Sequence, residues 1–134
     1  MKTPDMNILR LPLLACLAAL SAGCHTIDSV QPGKGVSFQV KGKTYDEVWK
    51  ASVAVMSRQL TLVEDSKQRG FIRAEAPAGM MTWGEVVGVF ITPTTPSAYS
   101  YNVEVVSLKR SAVQITGQDW TRTVITGIKA DLGQ

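Results

Sequence analysis

The succession of patterns along the chain predicts an α+β domain. Its antiparallel sheet should have about five to six strands covered by one long helix, with a short C-terminal helix. Two observations predict this. From Val36 to Ile115, short runs of alternating apolar and polar residues are separated by glycine-containing or polar turns, as in a meandering sheet. Helical periodicity appears twice, after Thr44 and after Asp119, and stays segregated from the strand-like middle.

Val36, Phe38 and Val40 alternate with Ser37 and Gln39, which predicts a half-buried strand ending at the turn Lys41-Gly42-Lys43. Thr44 and Glu47 have capping-box spacing, in which each residue satisfies the other's backbone N–H at a helix start. Beyond them Tyr45, Val48, Trp49, Ser52, Val53, Val55, Met56 and Leu60 share a broad apolar face. Asp46, Glu47, Lys50, Ser57 and Arg58 fall opposite. Such a face is expected to cover a sheet. Leu60 to Asp65 and Phe71 to Ala76 read as two strands of a hairpin turned by Ser66–Gly70. The charges of Glu64, Asp65, Lys67 and Arg69 are expected at its solvated tip.

After the loop 77–82, Trp83 to Thr92 reads as a strand. Glu85 to Ile91 is apolar at nearly every position, so it should be central and covered on both faces. Gly84 and Gly88 suggest a bulge or a close approach by the helix. Tyr99, Tyr101, Val103 and Val105 alternate in the longest strand, Lys109-Arg110-Ser111 reads as a second hairpin, and Val113 with Ile115 as the last strand. Asp119 is a suitable N-cap for a helix carrying Trp120, Val124, Ile128 and Leu132 every four residues. The β-branched Thr121, Thr123, Val124, Ile125 and Thr126 weigh against it, and a strand through Thr126 is the alternative.

The N-terminus has a different character. Lys2 and Arg10 flank a polar start, Leu11 to Leu20 is apolar without a charge, and Leu20-Ser21-Ala22-Gly23-Cys24 closes the run with small residues and a cysteine. These are the three regions of an export signal, too short to span a bilayer, which takes roughly 20 apolar residues. The stretch resembles the lipobox of bacterial lipoproteins, although the favoured leucine stands one place further out and Ser21 occupies its slot. The resemblance implies cleavage between Gly23 and Cys24, diacylglycerol on the Cys24 sulfur and an acyl chain on its amine. It also implies an envelope location. The aspartate that retains Gram-negative lipoproteins at the inner membrane is replaced by His25, which implies the outer membrane, facing the periplasm. Two or more acyl chains make a durable anchor where one is marginal. The division expected is a signal at 1–23, a lipidated flexible linker at 24–35 and one domain at 36–134. The linker reading rests on Pro32, Gly33 and Gly35 and on the lack of periodicity.

Within the domain, Tyr45-Asp46-Glu47-Val48-Trp49 followed by Gly70-Phe71-Ile72-Arg73-Ala74 resembles small envelope lipoprotein domains of helix-grip type. A lipoprotein component of the outer-membrane β-barrel assembly machinery has domains of that kind.

Removing residues 1–23 takes away Lys2, Arg10 and Asp5, which leaves 12 basic and 10 acidic side chains, a net charge of +2. With no basic run, nucleic acid is not an expected partner. Cys16 leaves with the signal and Cys24 carries the lipid, so of the 2 cysteines none remains for a disulfide. The single histidine, His25, sits beside the anchor with no oriented partner, and no Cys or His cluster has zinc-ligand spacing. Neither catalysis, a metal nor a cofactor is expected. Two binding readings remain. One is a non-catalytic protein-interaction or scaffold module, with Met80, Met81 and Trp83 as an adaptable apolar surface and edge strands open to a partner. The other is a binder of a lipid or small apolar ligand between helix and sheet, lined by Trp49, Phe90, Tyr99 and Tyr101.

Overall fold

The computed structural model describes residues 23–79, 83–96 and 99–134. Residues 1–22, within the stretch expected to be a signal, and the loop residues Met80, Met81 and Thr82 lie outside them. Five strands, β1 (Val36–Lys41), β2 (Thr61–Ser66), β3 (Phe71–Ala76), β4 (Glu85–Pro93) and β5 (Ser100–Lys109), form one sheet in the order β1-β5-β4-β3-β2. All neighbours are antiparallel. Two helices, α1 (Tyr45–Gln59) and α2 (Trp120–Leu132), complete the α+β domain.

The helix starts follow the local chemistry. Thr44 Oγ1 accepts the Glu47 N–H at 3.2 Å and the Glu47 carboxylate accepts the Thr44 N–H at 2.7 Å, so the capping box is closed from both sides. Asp119 accepts the Thr121 N–H at 2.9 Å and opens α2. The β-branched run does not prevent that helix, because Val124, Ile128 and Leu132 all reach the core. The helix propensity penalty is a few tenths of a kcal/mol per residue, smaller than about 1.5–3 kcal/mol for burying one large aliphatic side chain.

Both helices lie on one face of the sheet. Val48, Met56, Val124 and Ile128 pack there against Ile72, Val87, Val89, Val103 and Val105. The helices also pack on each other: a Cβ on Gly127 would stand 2.8 Å from Val55 Cγ1, so the crossing is as close as it is because that residue is glycine. β4, the middle strand, is buried from Glu85 to Ile91, as an uninterrupted apolar run demands.

The opposite face is covered in another way. Residues 24–35, expected to form a free linker, lie against the sheet as a strap. A single 3-10 turn at Ile27–Ser29 leads into Val30, which is completely buried among Phe71, Val86, Phe90 and Val106. Gly88 is the seat of Val30. A Cβ there would come within 2.3 Å of Val30 Cγ1, so the close approach at this glycine is made by the strap and not by the helix.

Other expectations change as well. β5 ends at Lys109, and Val113 and Ile115 lie in an irregular segment that runs to α2, so there is neither a second hairpin nor a sixth strand there. The buried Glu85 side chain draws that segment inward, accepting from Gln114 Nε2 at 3.1 Å and from the Gln118 N–H at 3.2 Å. Tyr99 precedes β5 and is exposed. In β2 the register shifts between Leu62 and Glu64, which places Glu64 beside Arg73 on the strap face and leaves Val63 as the extra residue.

Candidate functional surfaces

Cys24 is exposed and faces Ser111 in an isolated antiparallel bridge, and the His25 N–H donates to the Arg110 carbonyl at 2.8 Å. The strap thus begins where β5 has just ended. Its other end is clamped by Glu104. That carboxylate accepts the Gly33 N–H through both oxygens, at 2.7 and 2.9 Å, and the Gly35 N–H at 2.8 Å. Bonds of this kind, from amides to an ionised acceptor, are roughly twice as strong as neutral ones. Between the clamp and Cys24 the strap is held by the burial of Val30. Sequence reasoning singled out Cys24 for lipidation and gave no part to Val30, Gly33, Gly35 or Glu104 in holding the strap. The one available signal was Glu104 itself, an acid embedded in the apolar run of β5.

Trp83 is 63% exposed, and its backbone N–H donates to Gln114 Oε1 at 3.3 Å. Met80 and Met81, proposed with it as one apolar surface, lie outside the described residues.

Three of the hairpin-tip charges, Glu64, Lys67 and Arg69, form ion pairs. Glu64 meets Arg73 at 2.7 Å and Arg69 at 3.7 Å, while both guanidinium groups stack near the Phe71 ring, at 4.7 Å for Arg69 and 4.8 Å for Arg73. Lys67 meets Asp46 at 2.7 Å, and its hydrogen bond and charge hold the Asp46 carboxyl below the usual range. The Tyr45 hydroxyl donates to the Lys67 carbonyl at 2.5 Å, and burial raises its pKa. These contacts tie the tip to α1.

The aromatic residues suggested for a ligand cavity do not converge. Trp49 and Tyr101 belong to the helix-side core, Phe90 points to the strap side, and Tyr99 is in solvent. A crevice between the helices, lined by Val55, Leu60, Trp120, Val124 and Gly127, has a volume of about 80 Å³. A larger groove, about 310 Å³, runs beside β1, where Val36, Asp119, Thr121, Arg122, Ile125 and Thr126 line it. Val36 is 55% exposed there. β1 is also an edge of the sheet, bonded only to β5, and its first residue, Val36, is where the strand meets this groove. The other edge, β2, is interrupted by its register shift.

Among the described residues no three His, Cys, Asp or Glu side chains stand together as a metal site, and no helix is long and apolar enough to cross a membrane. The chain matches no protein-family model and no curated protein sequence.

Proposed function

We propose that this protein is a lipid-anchored lipoprotein of the cell envelope, held at the outer membrane through Cys24. In this reading it acts without catalysis, as an interaction module that takes an extended segment of an envelope protein along β1. The observation that carries the reading is the pairing of an unbulged edge strand with an apolar-floored groove. Main-chain hydrogen bonds to an edge supply affinity, and a neighbouring groove supplies side-chain selectivity. Val36 and Ile125 offer the apolar floor, and Asp119 and Arg122 offer charges at its rim.

The rival, a small apolar ligand held under the helices, calls for a cavity of roughly 300 Å³ or more. The crevice at that place, about 80 Å³, is much smaller.

A photoreactive amino acid placed at Ser37 or Gln39 of the full-length protein in cells tests the proposal. One discrete protein adduct is expected from β1 and none from Asp65 on β2. Val36→Asp should lower the β1 adduct several-fold while the circular dichroism spectrum stays unchanged. Equal labelling from both edges, or none from β1, would remove the reading. Loss of membrane partitioning in Cys24→Ser separately tests the anchor.

A further inference from the structure

The anchor end of the sheet has a composition that the interaction reading does not use. β3 ends at Ala76, β4 begins at Glu85 and β5 ends at Lys109, so residues 83–84 and 110–118 lie together, at the end where Cys24 is seated. They are bonded to one another: the Arg110 N–H donates to the Gly84 carbonyl at 3.1 Å, and the Trp83 backbone N–H to Gln114 Oε1 at 3.3 Å. Large apolar side chains are exposed at this end, Trp83 at 63%, Val113 at 71% and Ile115 at 94%. Of the six exposed large apolar residues among those described, these three share the end that carries the lipidation cysteine.

We infer that Trp83, Val113 and Ile115 form a bilayer-contact surface, which seats the domain on the lipid headgroups beside its own acyl chains. The inference rests on the lipoprotein reading of Cys24. The occupant follows from position: the strap does not let the domain swing free, so an acylated Cys24 brings this end, and no other, to the membrane. The residue types suit the depth. Tryptophan favours the membrane–water interface, where its ring is half in apolar surroundings and its N–H stays wet. Isoleucine gains from leaving water altogether. Lys109, exposed and bonded through Nζ to the Ile115 carbonyl at 3.5 Å, places a positive charge at headgroup level, where anionic lipid attracts it.

The test uses the acylated protein purified from its host and reconstituted in phosphatidylethanolamine/phosphatidylglycerol vesicles. Mass spectrometry of its N-terminus comes first. With Cys16 removed and Cys24 acylated, an introduced cysteine is the only thiol to spin-label, so Val113→Cys, Ile115→Cys and, at the far end, Tyr99→Cys can be compared. Positions 113 and 115 are expected to show an oxygen-to-nickel-chelate accessibility ratio several-fold above that of position 99. Three equal, water-like ratios on an acylated protein would overturn this inference and leave the anchor standing. Shielding of 113 and 115 from both reagents, the sign of a protein contact, would overturn it as well. A protein without acyl chains would overturn both.

Discussion

The two faces of the sheet are buried by different means. On one, α1 and α2 spread a continuous layer in which many side chains share the load, and the loss of any one leaves its neighbours in place. On the other, a dozen residues with a single 3-10 turn achieve burial through one valine, one glycine seat and one carboxylate clamp. The first kind of cover is redundant. The second is a short series of fastenings, so each of them matters locally even where the fold as a whole survives. Regular elements satisfy their own backbone groups, whereas an irregular segment must find each partner on the sheet.

Breaking this contrast starts with the helix face. Ile128→Ala should cost about 2–5 kcal/mol in chemical denaturation, the range for truncating a fully buried aliphatic side chain. Gly88→Val should cost about 1–3 kcal/mol by overpacking against Val30. Unlike Ile128→Ala, it should release the strap selectively, seen as faster proteolysis within residues 24–35 while amides of β4 and β5 remain protected from hydrogen exchange. Glu104→Gln removes the charge and one acceptor from the clamp, at about 1–2 kcal/mol, and should show the same local signature. Equal loosening of both faces in either strap variant would mean that the two covers form one cooperative unit.

Smaller effects sharpen the comparison from the helix side. Thr44→Ala should cost about 1 kcal/mol by leaving the first turn of α1 uncapped, with no change in strap cleavage. At the start of α2, the hydrogen bonds from Thr121 hold the Asp119 carboxyl below its ordinary pKa of 3.8. A depressed carboxyl contributes stability that is present above its unfolded value and lost as pH falls through its folded one. Wild type should therefore lose this contribution on acidification below 3.8, whereas Asp119→Asn, which keeps a cap oxygen, should lose less over the same window. Denaturation midpoints of the two proteins against pH measure it.

The same division separates what could be read in the sequence from what could not. The Thr44 capping box, the Gly70 hairpin, the apolar run of β4 and the four-residue repeat from Trp120 are periodic or local signals, and the structure follows each of them. The strap has no period. Pro32, Gly33 and Gly35 look like a linker because their bonding partner, Glu104, lies about seventy positions away. Val113 and Ile115 alternate as a strand would, yet the buried Glu85 captures Gln114 and Gln118 and holds that segment as an irregular run against the sheet. Alternation reports which side chains differ in polarity, not whether a neighbouring strand is there to pair with. Of the candidate surfaces, Cys24 and Trp83 could be picked out by residue type. The β1 edge emerged only with the strand order.

The bridge between Cys24 and Ser111 also fixes a height. A tether of eleven free residues would let a domain roam through about 40 Å above its anchor. Seated as it is, the sheet would stand on the bilayer like a post, with β5 rising roughly 30 Å at about 3.3 Å per residue. A partner reaching β1 would then have to approach within that narrow shell, which makes distance from the membrane a selective feature in its own right.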